Sequence, residues 1–152
     1  MALHHIRTEQ LLPISLEEAW DFFSSPRNLD RITPEDMKMT ITNNPSDKMF
    51  AGQIITYKIK PFPFVHLNWV TEITHVRDSD YFIDEQRFGP YAFWHHKHSF
   101  EETDKGVLMV DDLYYKMPFG FIGTIAHELA IRKKVKNIFS FRYKTLEKYF
   151  TK

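Results

Sequence analysis

The chain has 152 residues, and its 20 Lys and Arg residues are balanced by 20 Asp and Glu residues. This size and charge predict a single domain, residues 1–152, without a global field that would favour nucleic acid or an anionic membrane. Cysteine is absent, which excludes disulfides, thiol catalysis and thiolate-bound metals and suits the cytoplasm. The sequence shows no apolar run of signal-peptide or membrane-span type, so no membrane association is expected.

The aromatic content is high, with 14 Phe, 7 Tyr and 3 Trp residues. Each aromatic side chain buries a large area, so such a set either packs a core or lines a pocket for an apolar ligand. The core is the simpler interpretation for any single residue. For the whole set we predict a pocket.

The chain begins with three short predicted elements. Residues 3–12 predict a strand that ends at Pro13. Ser15 and Glu18 form an S-x-x-E capping box, which predicts a short helix immediately after it. Pro26 ends that helix, and residues 26–33 predict a second short helical turn.

From Met37 the hydrophobic period changes to two, which is typical of β-strands. Short turns separate these segments and predict an antiparallel sheet. The predicted strands cover residues 37–42, 55–60 and 67–74, a hairpin over 82–100 that turns at Gly89-Pro90, and residues 107–117.

After Pro118 the period becomes helical for about 30 residues, with a phase slip near residues 129–131 that predicts a bend. Such a helix must bury its apolar stripe, and the inner face of a strongly curved sheet is the expected partner. The chain order therefore predicts an α+β helix-grip fold. In this fold an antiparallel sheet of about seven strands wraps around the long C-terminal helix, and two short helices follow strand 1.

One strand face in the predicted hairpin combines aromatic and polar side chains. Alternation places Trp94, His96, His98 and Phe100 on the same side, whereas His95 points away. This face is too polar for a plain core and too aromatic for a plain surface. We interpret it as the wall of a cavity.

The neighbouring strands bring carboxylates to this face. A four-residue connection over residues 102–105 would pair His96 with Asp111. A three-residue loop with a bulge at Gly89-Pro90 would pair Asp84 with His96 and Gln86 with Trp94, whereas a two-residue loop would set Asp84 beside His95. We favour the first loop, which predicts an Asp84–His96–Asp111 line across three strands with Gln86 and His98 beside it.

Three interpretations of this line compete. It is a polar network that fixes the strand register, a set of groups that hold the polar end of a ligand, or a general acid/base site. Two carboxylates raise the pKa of an imidazole, whereas burial lowers it. His96-x-His98 also has the spacing of two zinc ligands, with Asp84 or Asp111 as a third. Because the carboxylates can instead hydrogen-bond the imidazoles, no metal and no other cofactor is expected.

These residues support a resemblance to a known family. The chain resembles the START-like superfamily, also called SRPBCC, and within it a bacterial branch of ligand-binding, polyketide cyclase-like proteins. The string D-x-Q-x-x-G-P-Y-x-x-W-x-H-x-H-x-F, over residues 84–100, is the most specific part. The resemblance runs nearly end to end through Asn28-Leu29, Thr33-Pro34, Trp69, Thr71, Ile73, Phe82, Asp84, Gln86, Gly89, Pro90, Tyr91, Trp94, His96, His98, Phe100, Gly106, Asp111, Tyr115, Pro118, Ile138-Phe139 and Arg142.

The resemblance implies the helix-grip fold, and function remains open among three classes because this fold carries transport, sensing and catalysis. We predict a non-catalytic binder of a small hydrophobic or amphipathic molecule in a cavity of about 300 Å³ or more. The ligand-binding residues would be Tyr57, Trp69, Asp84, Gln86, Trp94, His96, His98, Asp111 and Tyr115.

The first alternative is a cyclase, dehydratase or lyase that uses His96 or His98 with Asp111 as general acid/base. This alternative needs a histidine nitrogen that is free to face the cavity. The second alternative is an accessory domain that works with an epimerase-like protein partner, as fused relatives suggest, either as a monomer or as a homodimer. It predicts an exposed apolar patch or a self-paired interface.

Two surface features and one arginine of the long helix complete the sequence-based expectations. Phe62, Phe64, Phe119 and Phe121 lie in predicted loops, where they either rim a pocket mouth or pack beneath the loops. A basic patch at residues 132–136 of the long helix is expected to be solvated or to meet an acidic surface. Arg142 interrupts the apolar stripe of this helix and either reaches solvent or bonds a carboxylate at the end of the pocket.

Overall fold

The computed structural model describes residues 2–37 and 39–151, and this part of the chain contains seven antiparallel strands in one sheet. The order across the sheet is β1-β7-β6-β5-β4-β3-β2, so the first strand pairs with the last, and β1 and β2 form the two edges of the sheet. The strands are β1 (His4–Leu12), β2 (Met39–Ile41), β3 (Gln53–Phe62), β4 (Val65–Arg77), β5 (Tyr81–Phe88), β6 (Phe93–Thr103) and β7 (Gly106–Lys116).

The short helices follow β1, as predicted. Helix α1 (Leu16–Phe23) has the expected capping box: the Glu18 backbone N–H donates to Ser15 Oγ, and the Ser15 N–H donates to the Glu18 carboxylate. A 3₁₀ helix then covers Pro26–Ile32. The strand predicted over residues 37–42 is shorter than expected, because Met37 ends a second 3₁₀ turn. Lys38, which also belongs to that prediction, lies outside the described residues.

The long C-terminal helix has three parts. Helix α2 (Gly120–Ala126) leads into a π-helical turn (His127–Ile131), which continues as α3 (Arg132–Phe150). The π turn falls where the hydrophobic pattern slips by one position, because its wider i→i+5 spacing rotates the following residues around the axis. Among the described helices, none is both long and apolar enough to cross a membrane.

β-Bulges curve the sheet around α3. The pairing shifts once between β3 and β4, near Ile59, and twice between β4 and β5, near Val70 and Ile73. Each shift bends its strand and increases the local twist. The concave face produced in this way receives the buried stripe of α3, which consists of Val135, Phe139, Arg142 and Leu146.

The register of the second hairpin differs from the prediction. A two-residue turn joins β6 and β7, so Thr103 pairs with Gly106 and His98, rather than His96, lies opposite Asp111. The shift is two residues, which keeps every side chain on its predicted face. In the first hairpin the predicted pairing of Asp84 with His96 is confirmed, but the described ladder ends at Glu85 and His95, so the predicted pairing of Gln86 with Trp94 does not form.

Candidate functional site

Five ionisable side chains meet on the concave face of the sheet, and we call them the buried cluster. Asp84 comes from β5, His96 and His98 from β6, Asp111 from β7 and Arg142 from α3. The cross-strand pairs Asp84–His96 and His98–Asp111 place both imidazoles between the two carboxylates. Four of the five residues are buried, and the Asp84 side chain retains 19% of its exposure.

The two imidazoles bond different carboxylates. His96 Nε2 donates to Asp111 Oδ1 over 2.8 Å, and His98 Nε2 donates to Asp84 Oδ2 over 2.7 Å. The rings lie against each other, with centroids 3.8 Å apart. The predicted line of three residues across three strands is therefore a compact group of four residues. In this group His98 hydrogen-bonds Asp84 directly, whereas the sequence predicts it only beside the line.

The remaining ring nitrogens are less tightly held. His98 Nδ1 lies 2.9 Å from Asp111 Oδ1, but the approach is too oblique for a hydrogen bond. His96 Nδ1 lies 3.7 Å from Asp84 Oδ2, which is beyond hydrogen-bond range. No hydrogen bond from another described residue reaches His96 Nδ1, so the acid/base alternative retains one ring nitrogen without a hydrogen bond.

Two further donors complete the surroundings of the carboxylates. Arg142 Nη1 donates to Asp111 Oδ1 over 3.2 Å, and Trp94 Nε1 donates to Asp84 Oδ1 over 3.3 Å. Arg142 Nε is buried and has no hydrogen-bond partner among the described residues. A buried N–H donor without an acceptor is costly, so the buried cluster does not satisfy all of its own donors.

Burial and pairing set opposite pKa shifts for the two histidines. Burial, together with the nearby His98, lowers the pKa of His96 below its ordinary value in spite of the two carboxylates. Burial also acts to lower the pKa of His98, but contacts with Asp111 and Asp84 outweigh it and raise this pKa. Of the two opposing effects expected from the sequence, burial dominates at His96, and pairing with carboxylates dominates at His98.

The carboxylates stay ionised. Burial opposes their ionisation, but His98 holds the pKa of Asp84 below its usual value, and Arg142 with the two imidazoles holds that of Asp111 well below it. With His98 and Arg142 protonated and His96 neutral, two positive and two negative charges balance. In that protonation state the buried cluster is electrically neutral, which is the condition under which charged groups are tolerated in an interior.

Asp84, His96 and His98 can also be considered as metal ligands, since each offers one donor atom and these atoms lie within 4.8 Å of one another. Donor atoms around a tetrahedral zinc ion lie about 3.3 Å apart at the usual bond lengths. His98 Nε2 and Asp84 Oδ2 are 2.7 Å apart, at the distance of a shared proton. The arrangement is that of a hydrogen-bonded network, and we propose no metal.

A cavity that is partly open to solvent adjoins the buried cluster, and we call it the internal cavity. Its volume is about 130 Å³, and Asp84, His96, His98 and Arg142 form the polar part of its wall. Most of the remaining wall is apolar and comes from β2, β3, β4, β6, the loop after β5 and the 3₁₀ helix, with Leu29, Ile32, Met39, Tyr57, Ile59, Trp69, Ile73, Tyr91 and Trp94 among its members.

This cavity is smaller than the predicted 300 Å³, and the packing of its aromatic residues explains the difference. The ring centroids of Trp69 and Trp94 lie 5.1 Å apart, and that of Tyr91 lies 4.8 Å from that of Trp94. These side chains fill one end of the space that they were expected to line. The Trp69 indole N–H is itself satisfied by Thr71 Oγ1 at 2.9 Å.

A second, more open cavity lies on the other side of the buried cluster. It has a volume of about 460 Å³ and runs between α3 and strands β1 and β7. Asp111 and Arg142 form its inner end, next to Phe139, while Lys136 and Lys144 stand on its rim. Arg142 thus reaches the wall of both cavities.

The structure brings most of the predicted ligand-binding residues together. Tyr57, Trp69, Asp84, Trp94, His96 and His98 line the internal cavity, and Asp111 lines the open one. Gln86 and Tyr115 line neither. Gln86 accepts from the Tyr91 N–H and donates to the Tyr91 carbonyl at 2.6 Å, and so fixes the loop, while the Tyr115 hydroxyl bonds His127 Nε2 at 2.8 Å.

Arg142 is the functional residue that the predicted site left out. The signal was present, because an arginine interrupts an otherwise apolar helical stripe, and its bond to Asp111 is the second of the two roles considered for it. The methionines of the cavity wall, Met37, Met39 and Met49, carried no comparable signal. Their side chains fit strands, cores and pockets equally well.

Comparison with known proteins identifies the architecture. The sequence matches no protein-family model and no curated protein. Protein CV1439 from Chromobacterium violaceum superposes with a TM-score of 0.72 at 11% identity, over 97% of both chains. Ginseng major latex-like protein 151 from Panax ginseng gives 0.69 at 8% identity, also over 97% of both chains. The chain has the helix-grip fold.

A third similar structure, TTHA0849 from Thermus thermophilus, has a TM-score of 0.69 at 15% identity and covers 95% of each chain. At such identities the likeness concerns the fold. It does not extend to the polyketide cyclase-like branch that the sequence suggested. Function must therefore be argued from the site of this helix-grip protein.

Proposed function

We propose that this protein binds a small, mostly apolar molecule in the internal cavity and holds one oxygen atom of that molecule against the buried cluster. The observation that carries the proposal is the combination of an apolar wall with a buried, unpaired donor at Arg142 Nε. Ligand sites commonly combine an apolar enclosure with a few convergent polar groups.

The unpaired donor favours ligand binding over a purely structural network. A network that served only to fix strand register would satisfy its own donors, and an unmet buried donor costs about 1–3 kcal/mol. Arg142 Nε is such a donor. An oxygen acceptor on a ligand would supply the missing partner.

The size and charge of the site limit the volume and the charge of the ligand that it can hold. A dry cavity of about 150 Å³ accepts benzene, so a cavity of about 130 Å³ suits a single aromatic ring or a short branched chain. With His98 protonated and His96 neutral, the buried cluster carries no net charge, so an anionic ligand would add an unbalanced buried charge. We therefore propose a neutral acceptor, such as a ketone or an ether, rather than a carboxylate.

Three compounds of similar shape test this proposal. Acetophenone has a neutral oxygen acceptor, isopropylbenzene has none, and benzoate is anionic. In thermal unfolding measurements we expect acetophenone to raise the unfolding midpoint most, because a ligand that binds only the folded state stabilises it by mass action. Equal shifts for all three compounds, or the largest shift with benzoate, would contradict the proposed role of the cluster.

A pair of substitutions on β3 tests the location. Ile59 lines the cavity, whereas Ile54 faces outward on the same strand. Ile59→Trp should fill the cavity and abolish the acetophenone shift, and Ile54→Trp should leave it intact. Circular dichroism verifies that both variants remain folded. Retention of the shift in Ile59→Trp would move the binding site elsewhere.

A second candidate function is proton abstraction by His96. The lowered pKa favours the neutral form of its imidazole, Asp111 orients it through Nε2, and Nδ1 is not hydrogen-bonded. These are the features of a general base. Acetophenone has acidic C–H bonds, so its methyl signal should decay in D₂O with the native protein faster than with His96→Gln. Equal rates would eliminate this candidate and leave the binding proposal unaffected.

A further inference from the structure

One end of the sheet carries a concentration of exposed aromatic side chains. Because consecutive strands are antiparallel, the β3–β4 turn, the β5–β6 turn and the β7–α2 connection all lie at this end. Their most exposed members are Phe64 at 94%, Phe119 at 81% and Phe121 at 76%. Phe88 and Phe93 of the β5–β6 hairpin are also exposed. We call this set of residues the aromatic end.

The backbone at the aromatic end is shaped to project these side chains. Phe64 and Phe119 both have φ of 65°, in the left-handed region that non-glycine residues rarely adopt. Neither ring is used for internal packing, since both face outward. An unfavourable backbone that exposes a large ring is costly in the isolated protein, which indicates that the ring acts outside it.

Helix α2 extends the apolar surface. Residues 117–126 contain no charged side chain, and only Gly123 of the helix is buried. Phe121, Ile122 and Ile125 are all exposed. A helix that presents apolar side chains to water on most of its surface lacks the polar face expected of a solvated helix.

A basic region adjoins the aromatic end. The Lys134 ammonium lies 4.6 Å from the Phe62 ring centroid, which places the start of α3 against the β3–β4 hairpin. Between residues 116 and 136 the sequence has five Lys or Arg residues and one acidic residue, Glu128. Glu128 is already paired with Arg132, and Lys133 and Lys136 remain exposed.

We infer that the aromatic end docks on an anionic phospholipid bilayer, with the phenylalanine rings in the interfacial layer and the basic residues among the lipid headgroups. Exposed Phe and aliphatic side chains next to Lys and Arg residues are the combination by which protein segments lie on a membrane surface without crossing it. Juxtamembrane basic residues are attracted by the negative surface potential of anionic lipids.

Charge favours this occupant over a second copy of the chain. In a two-fold interface the same patch meets itself, so the basic residues of both copies would be brought together. A bilayer offers the opposite sign to all of them. The inference departs from the expectation drawn from the zero net charge, because net charge averages over the molecule whereas docking responds to the local distribution. It does not depend on the ligand proposed for the cavity.

The first test uses vesicles with the native protein. We expect co-sedimentation with phosphatidylcholine vesicles that contain about 30 mol % phosphatidylglycerol, and at least tenfold weaker binding to pure phosphatidylcholine vesicles. Binding should weaken in about 0.5 M salt, where charges are screened. Failure to bind either vesicle, or equal binding to both, would overturn the proposal.

Substitutions at the left-handed positions test the aromatic contribution. Phe64→Asn with Phe119→Asn should reduce vesicle binding at least tenfold without loss of folding, because Asn tolerates the left-handed conformation and also suits the start of a helix. The matched control is Phe50→Asn, which removes an exposed ring before β3, at the opposite end of the sheet. Equal loss of binding in the control would refute the assigned surface.

A second pair of variants tests the charges. Lys133→Glu with Lys136→Glu should reduce binding to anionic vesicles at least tenfold, whereas Lys144→Glu with Lys148→Glu, farther along the same helix, should have a much smaller effect.

Analytical ultracentrifugation tests whether a second copy of the chain, rather than a membrane, covers the aromatic end. If the native protein dimerises and Phe64→Asn with Phe119→Asn abolishes the dimer, the surface is a protein interface and the membrane proposal is wrong.

Discussion

The buried cluster and the aromatic end place side chains in opposite and equally unusual surroundings. The first puts two carboxylates, an arginine and two imidazoles inside the sheet, and the second leaves phenylalanine rings in water. The cluster offsets the desolvation of its charges by pairing them within the protein. The aromatic end has no comparable partner in the described chain, so its partner is expected to be external. Mutations in the two regions should therefore differ sharply in their effect on stability.

The largest effect is expected from Asp111→Ala. This change removes the acceptor of Arg142 and His96 and leaves positive charge buried without compensation, which typically costs about 3–5 kcal/mol. The next residue, Asp112, lies on the other face of β7 beside His5, where a partly exposed ion pair contributes less than about 1 kcal/mol. Urea unfolding of both alanine variants measures the difference. A similar small loss at both positions would show that the cluster is not a balanced network.

The second prediction concerns pH. The pKa of His98 is raised in the folded protein, so its contribution to stability is complete below its ordinary value of 6.5 and is lost as pH rises through the raised pKa. The pKa of His96 is lowered, so its effect is the reverse: stability is lost as pH falls below 6.5. The free energy of unfolding should therefore be highest near pH 6.5.

Two substitutions test whether His98 causes the loss of stability above pH 6.5. Each unit of pKa shift corresponds to about 1.4 kcal/mol. His98→Gln should abolish the loss of stability above pH 6.5, whereas His95→Gln, on the outer face of β6 beside Glu85, should retain it. Urea unfolding across pH 5–9 provides the measurement. A native profile that is flat above pH 6.5 would contradict the assignment of His98 as the protonated imidazole.

The smallest effect is expected at the aromatic end. Phe121→Ser removes an exposed ring that no described contact needs, so the free energy of unfolding should change by less than about 0.5 kcal/mol. Phe139→Ser, on the buried face of α3 next to His96, should cost about 3–5 kcal/mol. If Phe121→Ser were equally destabilising, the ring would belong to the core and not to a docking surface.

Alternation and helical period predicted the strands, the faces of the sheet and the buried stripe of α3. The prediction that the long helix buries its apolar stripe throughout is wrong before and within the π turn, where Ile122, Ile125 and Leu129 are exposed because no described strand packs against them. The phase slip near residue 130 has a physical counterpart in the π turn, since one additional residue per turn displaces the apolar stripe. The shared face of Trp94, His96 and His98 follows from the two-residue period and survives the register error, because that error is an even number of residues.

Turn length and side-chain packing could not be predicted in the same way. The segment ETDKG permits both a two-residue and a four-residue connection between β6 and β7, and the sequence does not distinguish them. The structure adds that the Gly106 backbone lies so close to the Leu12 carbonyl that no side chain would fit there. The volume of the cavity depends on how Trp69, Tyr91 and Trp94 pack on one another. Alternation determines which face these rings occupy and leaves their rotamers open.

Native mass spectrometry with acetophenone shows whether the internal cavity is a binding site. We expect one bound molecule on the native protein and on Ile54→Trp, and none on Ile59→Trp, since only the last change fills the space beside the buried cluster. The same adduct on all three proteins, or on none of them, would contradict a binding site in this cavity.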